Sequence, residues 1–389
     1  MASRDSIALT VQATTAQAGW VGVRLMIGYR AIAEGADTRT LAVIAALFAA
    51  PAVLAALPIG RIADRFGGPV VIVSGIVLCS IATGVLVAFS AMWALLACTA
   101  AFGLGNLLIM IGQQAFVAHV HVDGKNESAF GALTAAASMG QLVGPLAVTA
   151  VASRFGGASV ESPNTTAGIL TAGAFTAVAL PTALFLMLGR NHIRAQKPAE
   201  GEASGLKLLK LPGMWQSLTV SGAVLVTVDL LYAFVPAWAV ERGVSVTTVG
   251  WLLALRAGVS VVSRVGLGRL DAKFGRTVLL NVSLAAGAIA LAVLPFVQAV
   301  GAIGVMIALG IALGIPQPLT MSWVVSIVPK STQGEALGLR MSANRSAQIL
   351  IPLTVGAIAG PFGVTGILVG NALVLGGSIV AASHPRSRP

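Results

Sequence analysis

The chain has 389 residues, of which 57% are hydrophobic and only 10% charged, with a formal net charge of +11. A soluble protein of this size covers its water-facing surface with about 25% charged residues, so the composition excludes an ordinary soluble domain and requires a lipid-facing exterior. The two cysteines, Cys79 and Cys98, sit inside apolar runs and are too few for a disulfide framework or a zinc site.

A spanning helix needs about 20 apolar residues to cross about 30 Å of hydrocarbon. In chain order, apolar runs bounded by charge or Gly/Pro clusters predict helices over 7–31, 39–60, 69–90, 92–118, 128–151 and 166–188. A second set follows at 214–238, 246–266, 277–298, 301–327, 335–358 and 362–382. Before the first run no cleavable leader is expected. The longest polar stretch, 189–212, holds Arg190, Arg194, Lys197, Lys207 and Lys210. It reads as a linker between two six-helix halves, 1–188 and 213–389. With the N-terminus inside, the inner segments carry fifteen Lys/Arg residues and the outer ones four, Arg30, Arg39, Arg154 and Arg242. This bias orients the chain with both termini cytoplasmic in a bacterial-type inner membrane. Most of the positive charge is then an orientation signal, and nucleic acid is not an expected partner.

The halves repeat. Gly60-Arg61-Ile62-Ala63-Asp64-Arg65-Phe66-Gly67 returns 208 residues later as Gly268-Arg269-Leu270-Asp271-Ala272-Lys273-Phe274-Gly275. Ala129, Gly131, Gln141 and Pro145 return 207 residues later as Ala336, Gly338, Gln348 and Pro352, and Gly103 as Gly310. Parallel repeats of this kind are a transporter plan, with the solute site near midplane between the repeats.

The loop Gly60 to Gly68 resembles the signature of the major facilitator superfamily between its second and third helices, with a weaker copy after the eighth. Gly140-x-x-x-Gly144-Pro145 is similar to the fifth-helix motif of efflux members. The resemblance covers nearly the whole chain. It implies an all-α membrane protein of twelve transmembrane helices in two pseudo-symmetric six-helix bundles, acting as a secondary active transporter. It implies a conformational latch at Gly60, Asp64, Arg65, Gly67, Gly268 and Asp271. Gly60 and Gly268 would allow close helix approach. Asp64 would meet the N-terminus of the eleventh helix near Gly334, where partial positive charge favours a carboxylate. Gly140, Gly144, Pro145 and Pro352 would form gating kinks, since proline removes a backbone hydrogen bond. Ordinary tolerance of Gly and Pro in membrane helices is the other reading. In the second loop copy the acid comes one residue early, at Asp271. The arginine that proton-coupled members carry before the fourth-helix Gly-x-Gly is replaced by Thr99.

Ionisable residues within spans cost about 2.5–3.5 kcal/mol at the helix centre and usually face a cavity or a partner. Asp229, Arg256 and Arg345 fall near midplane and Arg24 somewhat towards the outside, all on helices that line or flank the cavity in that superfamily. Polar neighbours at helical spacing accompany them: Thr10, Thr14 and Gln17 with Arg24, Tyr232 with Asp229, Ser260 and Ser263 with Arg256, and Gln348 with Arg345. Asn106, Met110 and Gln113 form a similar face, as do Thr134, Ser138 and Gln141. The candidate substrate and coupling residues are therefore Arg24, Gln113, Gln141, Asp229, Tyr232, Arg256, Arg345 and Gln348. Asp229 is either a proton carrier or the static partner of Arg256 or Arg345. An arginine left over would hold a carboxylate or phosphate, or else pair with helix carbonyls. Arg264 and Arg340 lie nearer the cytoplasmic face, where snorkelling is expected. His119-x-His121-x-Asp123 reads as a helix end rather than a metal site, and no metal or cofactor is expected.

The expected partners are the bilayer, a small-molecule solute and, if coupled, protons; the chain is expected to act as a monomer. An anionic or zwitterionic substrate and drug-like efflux remain alternatives. A membrane enzyme would need a polar catalytic cluster near one interface, and a sensor a soluble domain; the sequence offers neither.

Overall fold

The computed structural model describes residues 3–120, 126–156, 163–189, 208–265, 267–328 and 333–383. Among them there is helix and turn but no strand. The helices of the first half are α1 (Ser3–Ala33), α2 (Thr38–Leu47), α3 (Ala50–Phe66), α4 (Gly68–Ala88), α5 (Met92–Val120), α6 (Asn126–Phe155) and α7 (Thr165–Leu188). Those of the second are α8 (Met214–Glu241), α9 (Val246–Val262), α10 (Leu267–Phe274), α11 (Arg276–Val293), α12 (Ala299–Gly314), α13 (Pro316–Ser326), α14 (Gln333–Ala359) and α15 (Gly363–Ser383).

Each expected span coincides with one helix or with a pair: α2 with α3, α9 with α10, and α12 with α13. By length and hydropathy alone, eight segments among the described residues can cross a membrane, and a ninth if α9 and α10, bent by 64°, form one span. The shortfall from twelve has physical causes. α1 carries Gln12, Thr14, Thr15, Gln17, Arg24 and Arg30. The second span is cut into helices of 10 and 17 residues. One of the eight segments, Ala336–Ser383, has 48 residues, roughly 70 Å at 1.5 Å per residue and enough for two crossings. The 3-10 turn Gly360–Phe362 divides it. The outer surface is apolar, with Ile289 66% and Leu373 73% exposed, as a lipid-facing wall requires.

The repeated loop is also a repeated backbone conformation. Gly67 has φ 90 and ψ 149, and Gly275, 208 residues on, has φ 79 and ψ 149. Only glycine takes these angles without strain, which lets one helix end and the next begin within a residue. Arg65 lies over the Phe66 ring at 5.2 Å, and Lys273 over Phe274 at 5.2 Å. Among the described residues, a Cβ at Gly60 or Gly268 would meet nothing within 4 Å. The Asp64 side chain and the stretch 121–125 lie outside the described residues.

The chain forms two compact units. Unit 1 comprises Met1–Ala36, Leu47–Pro198 and Ala239–Ala254; unit 2 comprises Asp37–Ala46, Ala199–Trp238 and Leu255–Pro389. Compactness thus divides the chain differently from the sequence repeat, exchanging two short segments. In unit 1, α1 packs on α6 and α7, and α4 on α5 and α7. Glycines bring the backbones together: a Cβ at Gly112 would lie 2.6 Å from the Gly68 oxygen, and one at Gly75 2.6 Å from the Gly105 oxygen. Arg30, counted among the outer charges, is 5% exposed and turns inward. It donates to Leu86 O and to the hydroxyls of Thr165 and Thr166, tying the ends of α1, α4 and α7. In unit 2, α11 packs on α15 and α12, and α13 on α14. The segment Asp37–Ala46 packs there too, with Ala42 against Gly356.

Candidate functional site

In unit 2 the sequence-derived candidates converge on α8. Asp229 and Tyr232 are one turn apart, so they share a helix face. Arg256, from α9, donates Nη2 to the Tyr232 hydroxyl at 3.1 Å, and its guanidinium carbon lies 5.6 Å from that ring. Arg256 is 2% exposed, and its Nε has no hydrogen-bond partner among the described residues. From α14, Gln348 donates Nε2 to Asp229 Oδ2, while Arg345 donates Nη1 to Gln348 Oε1 at 3.0 Å. Gln348 therefore bonds both the carboxylate and one arginine, and the Tyr232 hydroxyl accepts from the other. Behind this row Asn371 of α15 donates to Thr227 at 3.3 Å.

Unit 1 arranges its candidates differently. Arg24 lies 5.3 Å from the Trp20 ring and 4.9 Å from the Phe48 ring, and these two rings meet edge-on. Gln113 donates Nε2 to Gln12 Oε1 at 2.8 Å. Gln12 is fully buried and was not among the sequence candidates; its helical spacing from Thr15 and Ala16 gave no polar stripe to mark it. Gln141 is half-buried on α6 with no hydrogen bond among the described residues. Beside Trp20, α1, α4, α5 and α7 leave a narrow space of about 10 Å³, room for one water molecule, lined by Phe102, Ile109, Cys79, Thr176 and Asn106.

Gly140 and Gly144 have a packing role. A Cβ at Gly140 would overlap Thr14 O, and one at Gly144 would lie 2.5 Å from Ala18 O, both on α1. α6 continues through Pro145, and α14 through Pro352. Arg264 and Arg340, expected to snorkel, bond to the protein instead, at the α12–α13 break.

The repeat extends into these contacts. At the loop's offset of 208, Arg24 corresponds to Tyr232 and Phe48 to Arg256. Each unit therefore holds one cation–aromatic contact at the same register, with the charge on the opposite partner. A Cβ at Gly103 would overlap Phe48 O, and one at Gly310 would lie 2.8 Å from Arg256 O, so the neighbouring helix contact repeats as well. Extending the loop offset back into the first span would have exposed this pairing.

The sequence model described as the Major Facilitator Superfamily matches residues 9–352 and, overlapping, 221–389. The chain belongs to the major facilitator superfamily. Solved structures share the superfamily's fold with it over nearly its full length. The nucleoside transporter NupG has a TM-score of 0.77 at 14% identity, covering 97% of this chain and 98% of that one. A POT family transporter in complex with 5-aminolevulinic acid has a TM-score of 0.75 at 16% identity, covering 96% and 94%. A bacterial homolog to the human lysosomal transporter Spinster, inward-facing and unoccupied, has a TM-score of 0.75 at 16% identity, covering 98% and 94%. At these identities the likeness establishes the fold alone. No curated protein matches the chain. As a superfamily member it is a multi-pass membrane protein of transporter type.

Proposed function

We propose that the chain is a secondary active transporter that moves a small organic anion or zwitterion by alternating access of its repeat halves, 1–188 and 213–389, joined by the linker 189–212. The supporting observation is the row on α8, where Arg256–Tyr232 and Arg345–Gln348–Asp229 stack one turn apart. Among these five side chains Arg256 and Arg345 bring two formal positive charges and Asp229 one negative. A guanidinium holds a carboxylate or phosphate by two parallel hydrogen bonds. Asp229 is the proton carrier in this reading: Gln348 would release it when substrate engages Arg345. The Lys/Arg bias supports a bacterial-type inner membrane with both termini cytoplasmic. A latch at Asp64 and Asp271, and hinge motion at Gly144–Pro145 and Pro352, belong to the same proposal.

Uptake of radiolabelled carboxylates into proteoliposomes, with and without an inward pH gradient, tests this reading. Arg256→Ala and Arg345→Ala abolish uptake, and Asp229→Asn removes the response to the gradient while leaving exchange. Gradient-driven uptake unchanged in all three variants would sink it. Efflux of drug-like compounds is the second reading, favoured by the aromatic pair Trp20–Phe48 and the engagement of Arg24 with both rings. Substrate protection that depends on Trp20 and not on Arg256 would decide for it.

A further inference from the structure

The tenth span contains Pro316-Gln317-Pro318. In an unbroken helix each carbonyl accepts from the N–H four residues on. For Ala312 and Gly314 those positions are Pro316 and Pro318, which have no N–H. The helix breaks there, α12 ending at Gly314 and α13 beginning at Pro316. A carbonyl without a donor is costly in a bilayer, where no water replaces the lost bond.

Two arginines reach this break from different helices. Arg264, in the turn after α9, donates Nε to Gly314 O at 3.3 Å, the carbonyl that Pro318 leaves without its helical donor. Arg340, from α14, donates Nη2 to Gln317 Oε1 at 3.0 Å and to Thr320 Oγ1 at 3.3 Å. The approach of α9 depends on glycine. A Cβ at Gly310 would lie 2.7 Å from the Val259 Cβ, and one at Gly314 would lie 2.7 Å from Ser260 O.

The repeat supplies an internal control. At an offset of 207, Gly314, Pro316 and Pro318 correspond to Leu107, Ile109 and Ile111. These lie in α5, an uninterrupted helix of 29 residues. Arg264 corresponds to Ala56 at the loop's offset of 208, and Arg340 to Leu133 at 207. The break and its arginines are present together in one half and absent together from the other.

We propose that the α12–α13 break is a hinge whose geometry is set by Arg264 and Arg340, acting as positioning residues in the transport cycle. Helical backbone bonds cannot be released singly without unwinding the helix. Bonds from side chains on two other helices can be, so movement of α9 or α14 is passed directly to the tenth span. The hinge role rests on the transporter reading; the bonding arrangement does not, and its test needs no substrate.

Hydrogen–deuterium exchange of the full-length protein in nanodiscs reads the bonding arrangement. In the wild type, amides over 311–322 exchange faster than those over 104–115 of α5; equal protection of the two stretches overturns the hinge. Arg264→Met raises exchange over 311–322 about tenfold, as loss of a hydrogen bond to a charged group implies, and leaves α5 unchanged. Pro318→Ala returns an N–H to Gly314 O, so Arg264→Met/Pro318→Ala restores wild-type exchange locally. A rise spread evenly over unit 2, or failure of Pro318→Ala to reverse it, overturns the assignment. If Arg264→Met does not fold, Arg264→Gln with and without Pro318→Ala reads the same bond.

Discussion

Unit 1 places Arg24 over Phe48, and unit 2 places Arg256 over Tyr232, at corresponding positions with cation and ring exchanged. The same exchange occurs between the first and fifth spans and their counterparts. Gly140 of α6 receives Thr14 of α1, whereas Gly222 of α8 receives Ala347 of α14. At offsets of 208 and 207 these are the same contact with the glycine moved to the other helix. A cation–aromatic contact needs one cation and one ring, and a close helix contact needs one small residue. Neither requirement names the helix that must supply it. The two units therefore preserve contacts through divergence that has erased most residue identities.

That comparison can be broken by substitution, and the largest effect is expected at Gly140. Its Cβ would meet backbone that cannot step aside, so Gly140→Ala should cost more than the about 1–3 kcal/mol usual for overpacking, read as a drop in thermal midpoint in detergent. A neutral result would mean that α1 and α6 are not held in this contact. The cation–aromatic pair ranks next. Arg256→Met removes a hydrogen bond to a charged group, worth about 1.5–3 kcal/mol, as well as the ring contact. Arg24→Met removes ring contacts worth about 0.5–2 kcal/mol. A midpoint unchanged by Arg256→Met would show that neither its hydrogen bond to Tyr232 nor its ring contact holds unit 2 together.

Gly222 sharpens the comparison at lower cost. Its Cβ would meet only the Ala347 methyl at 2.9 Å, so Gly222→Ala should destabilise less than Gly140→Ala. Adding Ala347→Gly moves the small residue to the partner helix and should recover most of the loss. An additive double variant would refute the exchange.

The smallest effect concerns Asp37, at the start of α2. Its carboxylate accepts from the Thr40 hydroxyl at 2.6 Å and the Thr40 N–H at 2.8 Å. The hydroxyl bond, then the N–H, with a lesser contribution from Arg39, holds the carboxyl below its ordinary range. The folded value lies below the unfolded one, so the cap contributes fully above about pH 4 and is lost as pH falls through the folded value. Asp37 is exposed, and screening keeps the effect small. Wild type should be the more stable of the pair with Asp37→Asn at about pH 6, and that advantage should vanish on acidification to about pH 2. A constant difference would show that the carboxylate does not cap α2.

Much of the fold was legible before any coordinates. The apolar runs located the helices, and the duplicated loop anticipated the matched conformations of Gly67 and Gly275. Asp229, Arg256 and Arg345 stand out by charge at midplane, and Tyr232 and Gln348 as their polar neighbours at helical spacing; in unit 2 the five form two hydrogen-bonded groups, Arg256–Tyr232 and Arg345–Gln348–Asp229. Other features were not legible. Gln12 lies in a stretch rich in Thr and Gln, where nothing singles it out as the partner of Gln113. Arg264 and Arg340 sit at a depth where their side chains can reach either water or the interior, and only the proline break in a neighbouring helix draws them inward. The cut between α2 and α3 falls at Phe48 and Ala49, one of them an aromatic anchor for Arg24.

From its sequence alone this chain was bound to enter a membrane as a duplicated helical protein, because the transfer of each residue into lipid adds along the chain and glycine loops impose their own backbone angles. Which helix supplies the cation, the ring, the glycine or the missing donor was decided only in the packed structure. Those choices depend on what faces each side chain across a helix contact, and the facing residue lies anywhere from 20 to 144 positions away in the hydrogen-bonded pairs between helices described above.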